Sequence, residues 1–534
     1  MVQATAKGKR HKEQQRRKQT QPEQAGRVWY LTGWQWACLA ILIAAAFLRL
    51  FEVTAKVLHH DEGVNGLFLA NLFRNGYYHY DPANYHGPTL YYAGLITTTI
   101  NAFFYGKAGL STFAIRLVTV IFGVGVIWLL LCLRRQLGTF GTVAAAALGC
   151  VSPGFVFFSR YFIHEILFVF FTLGVVVAIL YYNRTREPKY LMLASASLAL
   201  MGATKETWII TVAVWLLALL CASIYLKFRG RSAEPRDSAP VRQSTNTKVG
   251  AGEVQVSKRW LYANAALLFV VIWICLYSSF FTNFPQGLYD SFLTYTYWFK
   301  TSGNANVYDW TKYFEWLRKS ELPALALGGL GIAISLLKAS SRFAVFTAFW
   351  SLGILSAYCL IPYKTPWLAL SIVLPFIIMA GYALEQIFQY SGARYIAALV
   401  LVACVVFSSY QAIQLSFFRY DDDTEPYSYA HSKRDFLNLV NEINTIAQGN
   451  PAGKNIGITV MSPEHWPLPW YLRDDPNAGY WGKVVDTHEP IIIAREDQVP
   501  EVERTLGDKY RLYSSHDLRP GVRLYLFLRN DVQP

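Results

Sequence analysis

Charge is scarce in this sequence. Asp, Glu, Lys and Arg make up 16% of its 534 residues, against about 25% in a typical soluble chain. Hydrophobic residues make up 53% and recur in runs of membrane-span length. That balance excludes a purely soluble protein, and also a disordered, collagen-like or disulfide-knotted secreted one. Paired cysteines are missing as well. All seven (Cys38, Cys132, Cys150, Cys221, Cys275, Cys359 and Cys404) fall inside apolar runs, and none lies in the tail after residue 416. Without CxxC spacing they read as small hydrophobes in helices, not as a metal or redox site, and the tail folds without disulfides. The tail has no glycine-rich phosphate loop, which argues against a nucleotide site. The first apolar run, Trp34 to Leu50, could be mistaken for a signal peptide, but many more spans follow and it reads as an uncleaved first helix.

Basic residues are present in excess, for a net charge of +14. They cluster beside apolar runs, the footprint of cytoplasmic membrane anchoring and not of a nucleic-acid partner. Residues 1–30 read as a disordered basic cytoplasmic arm; the first 28 carry eight Lys or Arg against two Glu. Residues 227–259, with eight Lys or Arg against three acids, read as a cytoplasmic linker. About 20 apolar residues cross a bilayer as helix. Such runs begin near residues 33, 112, 140, 166, 190, 207, 260, 321, 343, 366 and 395, predicting eleven spans. A twelfth stretch, 89–105, is shorter and broken by Gly94 and Asn101. If it does not cross, Arg134, Arg135, Arg184, Arg186, Lys189, the 227–259 loop, Lys338, Arg342 and Arg394 all fall on the cytoplasmic side with the arm; if it crosses, all flip outward. The stretch is therefore expected to lie at the outer surface as a helix. The connectors 52–111, 158–165, 203–206 and 282–320, Lys364 and the tail 416–534 then face outward.

The expected organisation is an α-helical polytopic membrane domain over 31–415, followed by a small extracytoplasmic α/β domain over 416–534. In the tail, Ser428 to Gln448 has a helical apolar face. Strand-like runs follow at Asn455–Met461, Lys483–Val485, Pro490–Ala494, Tyr510–Tyr513 and Arg523–Leu528, with helical segments near Trp466–Leu472 and Val499–Leu506.

Polar clusters stand at the outer ends of the spans, where ionisable groups are functional candidates by default. His59-His60-Asp61-Glu62 follows the first helix; adjacent acids suit a general base with an orienting neighbour, or a solvated helix end. Tyr85-His86-Gly87-Pro88 offers a His for phosphate or sugar, or a turn cap. Arg160 and His164-Glu165 sit between two apolar runs with almost no loop, as a site or a structural ion pair. Thr204-Lys205-Glu206 and Lys364 put cations on a face where the charge rule disfavours them; they suit a lipid phosphate, or snorkel to headgroups. His60, Asp61, His164 and Glu165 could hold a divalent ion if the fold brings them together, with Asp61, His164 and Glu165 as the set to watch.

His60-Asp61-Glu62, Thr204-Lys205-Glu206, Tyr363-Lys364-Thr365-Pro366-Trp367 and, in the tail, Trp470-Tyr471-Leu472-Arg473-Asp474 with Gly479-Tyr480-Trp481 carry a family likeness. From about residue 30 onward the chain resembles the GT-C membrane glycosyltransferases, in the protein O-mannosyltransferase and aminoarabinose-transferase branch, and most closely a prokaryotic group named for association with flippase activity. The resemblance implies an inner-membrane enzyme that transfers a sugar from a polyprenyl-phosphate donor, on the extracytoplasmic face, to a hydroxyl of a lipid, glycan or protein. It implies Asp61 as the base and Glu62 as its orienting neighbour. Lys205, Lys364 and Arg160 are the candidates for the donor phosphate, with His60, His86, His164, Glu165 and Glu206 as further substrate contacts. Glu165 stands where relatives often have Asp. Inversion at the anomeric carbon is expected from the superfamily. The rival reading is a translocator of lipid-linked sugars, or its accessory subunit; it would need polar groups in mid-span, whereas the charges gather at outer ends.

Overall fold

The computed structural model describes residues 31–84, 86–230, 257–301 and 307–533. The expected basic arm, Tyr85 and the middle of the 227–259 linker lie outside the described residues. Of the described residues, 31–40 belong to one unit and 41–533 to a second that contains both the helical bundle and the tail.

Every apolar run becomes a helix, because in hydrocarbon each backbone N–H and C=O needs a partner within its own segment. Among the described residues, eight helices are long and apolar enough to cross a membrane: Gly33–Leu50, Thr112–Leu131, Glu165–Thr185, Trp208–Phe228, Lys258–Tyr277, Arg342–Leu360, Pro366–Phe388 and Ser391–Phe418. The pair Lys312–Ser320 and Leu322–Lys338, bent by 111°, makes a ninth if it is counted as one span. The expected runs near 140 and 190 form Thr139–Val151 and Pro188–Gly202, of 13 and 15 residues. At about 1.5 Å per residue these fall short of a ~30 Å core, so length alone supports eight or nine spans where eleven are expected. Thr89–Tyr105 is a single helix with the expected ends, and it is not among the span-length helices.

Pro366–Phe388 is the most enclosed span, whereas Lys258–Tyr277 and Ser391–Phe418 leave most of their surface open, as lipid-facing helices do. Small residues allow the close packing. A Cβ on Gly141 would lie 2.6 Å from the Gly381 carbonyl oxygen, and one on Gly381 would lie 2.4 Å from that of Gly141, the backbone approach that small residues permit between membrane helices. Serine caps start several helices: Ser111 accepts from Ala114 N–H and Ser341 from Ala344 N–H.

The tail builds a five-stranded sheet, β1 (Ile458–Val460), β2 (Ala478–Tyr480), β3 (Ile491–Arg495), β4 (Tyr510–Arg519) and β5 (Val522–Arg529), in the order β2-β1-β3-β5-β4. β1 is parallel to β2 and β3; β5 is antiparallel to β3 and β4. The helix Val499–Leu506 matches its expected segment, whereas the one expected from Ser428 begins only at Phe436 and ends at Gly449. The expected strand at Lys483–Val485 is absent: Val484 and Val485 pack onto the sheet core from irregular chain. The edge strand is Ala478–Tyr480 instead. β4 runs to Arg519, well past its expected end at Tyr513, and turns into β5 through Pro520 and Gly521, whose φ of +74° suits glycine.

The segment 466–474 seats the tail on the helix His60–Asn75. A Cβ on Gly66 would lie 2.5 Å from the Trp470 ring, and one on Gly63 would lie 2.7 Å from Pro467. The Tyr471 hydroxyl accepts from Leu58 N–H at 3.1 Å, Arg473 donates to the Leu110 carbonyl at 2.8 Å, and Arg74 pairs with Asp474 at 2.6 Å.

Candidate active site

A cavity of about 530 Å³ lies between the helix ends and the tail. Its walls include His59, His60 and Asp61 from the start of the helix His60–Asn75, His86, then His164 and Glu165, then Lys205 and Glu206, and from the tail Tyr429 and Arg519. Tyr91, Trp298, Tyr358, Tyr363 and Trp367 give it aromatic sides suited to the faces of a sugar. Seven residues expected to form the site, His60, Asp61, His86, His164, Glu165, Lys205 and Glu206, all line this one space.

The helix start fixes Asp61. His59 is the N-cap: its Nδ1 accepts from Asp61 N–H at 3.1 Å, and its Nε2–H donates to the Tyr429 carbonyl at 3.2 Å. That leaves the Asp61 carboxylate, 43% exposed, facing the cavity, with the His59 ring 3.9 Å away as its nearest ionisable neighbour among the described ion pairs. Beside it, burial pushes the His60 imidazole down to about 4, a shift that Asp61 opposes. Neutral at physiological pH, His60 accepts at Nδ1 from Arg519 Nη1 at 3.2 Å.

The connectors 86–89 and 203–207 lie against each other. His86 bridges Lys205 in antiparallel fashion, Gly87 N–H donates to the Thr204 carbonyl at 3.0 Å, and Thr89 N–H to that of Ala203 at 3.1 Å. A Cβ on Gly87 would lie 2.0 Å from the Ala203 oxygen, so only glycine fits. This close fit brings His86 Nδ1 to within 3.0 Å of Glu206 and aims Lys205 at Glu165, with which it forms a short ion pair. Burial would raise the Glu206 carboxyl, but His86 and then Lys205 hold it below its usual range. Burial would lower the Lys205 ammonium, but Glu165 and Glu206 outweigh burial and raise it. His164 is pushed well down by burial, then by His86 and Lys205, and its Nε2–H donates to the Gly87 carbonyl at 3.1 Å. The cavity wall therefore holds Glu206 anionic, Lys205 as a compensated ammonium, and the His60 and His164 imidazoles neutral.

Three expected site residues turn away from the cavity, each for a clear reason. Glu62 is fully buried, and Arg116 grips it with two hydrogen bonds of 2.8 and 2.7 Å. It also accepts from His59 N–H and Phe162 N–H. Burial alone would raise this carboxyl; Arg116 overrides it and holds it low. Glu62 positions the helix start and does not touch the cavity. Arg160 closes the end of the first helix, donating to the carbonyls of Arg49 at 3.2 Å and Glu52 at 2.9 Å, with its guanidinium 4.4 Å from the Phe417 ring. Lys364 caps Arg342–Leu360 through the Cys359 and Ile361 carbonyls at 2.9 and 2.5 Å. Of its motif, Tyr363, Thr365 and Trp367 do line the cavity. Among the described residues no group of three or more His, Cys, Asp or Glu is placed to hold a metal ion, so Asp61, His164 and Glu165 do not form a ligand set.

Arg519, Tyr429 and Trp298 are cavity residues without a signal in the sequence, since each reaches the site only through the tertiary fold. Arg116 had a signal. It stands inside an apolar run, and a charge at that depth needs a partner.

Residues 91–231 match the model of the family described as dolichyl-phosphate-mannose-protein mannosyltransferase. Among solved structures, the chain is similar to ArnT from Cupriavidus metallidurans bound to undecaprenyl phosphate, with 13% identity, a TM-score of 0.63, and 95% of this chain and 100% of that chain covered. The apo state of that protein gives a TM-score of 0.65 at 13% identity over 93% and 98%. The archaeal oligosaccharyltransferase AglB from Archaeoglobus fulgidus, in complex with an inhibitory peptide and a dolichol-phosphate, gives 14% identity and a TM-score of 0.53 over 92% of this chain and 74% of that chain. No curated protein matches the sequence. At these identities the likeness is one of fold.

Proposed function

From a chain with the fold of the GT-C membrane glycosyltransferases, we infer a transferase that moves a sugar from a polyprenyl-phosphate donor to an acceptor hydroxyl on the extracytoplasmic face of the cytoplasmic membrane. The observation that carries this reading is the split between two adjacent acids. Glu62 is spent on Arg116, while Asp61 faces a cavity rich in aromatic and polar side chains.

In this reading Asp61 takes the proton of the acceptor hydroxyl. The acceptor oxygen bonds to the anomeric carbon as the bond from that carbon to the phosphate oxygen breaks. The polyprenyl phosphate leaves with the electron pair, and inversion follows. Lys205 faces the departing phosphate, and its ion pair with Glu165 keeps it charged until then. Glu206 and His86 meet sugar hydroxyls. The amino end is cytoplasmic, and the cavity and tail lie outside.

The test is turnover. The purified full chain is incubated in liposomes with lipid extract from its native host. A transferase consumes one polyprenyl-phosphate sugar and releases the bare polyprenyl phosphate. Movement of the glycolipid between leaflets without consumption would replace this reading with the translocator.

A further inference from the structure

We propose that Arg519 reads an anionic group, phosphate or carboxylate, on the acceptor next to the hydroxyl that Asp61 deprotonates. The proposal rests on the reading of Asp61 as the base and adds the chemical class of the acceptor.

The first support is position. Arg519 is the last residue of β4 and lines the cavity from the tail. Its Nη1 donates to His60, the residue before Asp61, and Nη2 pairs with Glu464. These contacts engage two of the five guanidinium N–H groups and leave three for a ligand. Glu464, its carboxylate partner, stands outside the cavity wall. Lys205 differs, because its partner Glu165 and the neighbouring Glu206 line the cavity with it. Among the described wall residues, Arg519 is thus the cation whose ion-pair partner does not itself line the cavity. A guanidinium fork matches phosphate or carboxylate with two parallel bonds.

The second support is chemical. In a displacement that inverts the anomeric carbon, base and nucleophile stand on the face opposite the leaving group. Arg519 is bonded to the neighbour of the base, and the Asp61 carboxylate supports its charge against burial. It belongs to the acceptor side, not to the departing phosphate. A cation beside a general base opposes proton uptake. An anion delivered with the acceptor cancels that opposition, so only the right acceptor completes the site.

The experiment uses the purified full chain saturated with undecaprenyl phosphate, so that the donor side is filled. Glycerol 3-phosphate, glycerate and glycerol are titrated against it and binding is read by calorimetry. The wild type should bind one or both anions more tightly than glycerol, and the preferred one names the anion. Arg519→Gln should weaken that binding roughly tenfold or more, the loss of a charge-assisted pair of hydrogen bonds, with undecaprenyl-phosphate affinity unchanged. Glu464→Gln breaks the same ion pair but keeps the guanidinium, and should retain anion binding. Equal anion affinity in wild type and Arg519→Gln overturns the proposal. So does lost undecaprenyl-phosphate binding in Arg519→Gln, which would move Arg519 to the donor side, or lost anion binding in Glu464→Gln, which would make Arg519 structural. Failure of the parent reading is seen separately, as sugar transfer retained by Asp61→Asn.

Discussion

Asp61 and Glu62 are adjacent in sequence, yet an α-helix turns successive side chains about 100° apart. One therefore faces the cavity and the other faces Arg116. Glu62→Gln leaves the Arg116 guanidinium buried without its counter-charge and should cost about 3–5 kcal/mol, seen as a large fall in the thermal midpoint in detergent. Asp61→Asn, at a position whose half-exposed carboxylate makes no hydrogen bond among the described residues, should leave that midpoint nearly unchanged. His60 sets a pH dependence. Its ordinary value is 6.5, and burial lowers it to about 4 in the folded chain. Between those values the unfolded chain binds a proton that the folded chain refuses, so this group's contribution to stability falls as pH drops through the window and is constant above it. Scanning the thermal midpoint from pH 7 to pH 4, His60→Asn should show a smaller decline than the wild type. At this scale the sequence exposes the acid pair and the polar clusters at helix ends. It does not say which acid of the pair is spent inside, because that depends on Arg116, 54 positions away.

Helix ends and connectors bring the clusters together. Gly87 is the pivot, since the chain 86–89 can lie on 203–205 only without a Cβ. Gly87→Ala should part the two connectors, detach His86 from Glu206 and cost about 1–3 kcal/mol as an overpacked contact. The expected readouts are a lower thermal midpoint and reduced transfer. Some segments announce themselves: the apolar stretch Thr89–Tyr105 and the short segment Val499–Leu506 form helices over the expected residues. The three-residue strand Ala478–Tyr480 has no period to read, and Val484 and Val485 are apolar because they pack, without pairing as a strand. Eleven apolar runs do not make eleven full-length spans, because two of the helices stop at 13 and 15 residues.

The tail is part of the cavity, not only a cap above it. Trp470, 1% exposed, fills the space that Gly66 leaves on the helix bearing Asp61, and Arg519 reaches His60 from 459 positions along the chain. A juxtaposition of that range has no local signature, so neither the docking nor Arg519 is legible from sequence, although the Trp470–Asp474 motif is. Trp470→Ala should cost about 3–5 kcal/mol, lowering the thermal midpoint and transfer together, whereas Asp61→Asn should lower transfer alone.

Mass spectrometry of host membranes carrying wild-type protein or Asp61→Asn tests the assignment of the base most directly. The account predicts that one polyprenyl-monophosphate sugar accumulates in the mutant, with the protein present at its normal level. An unchanged lipid profile at normal protein level would contradict it.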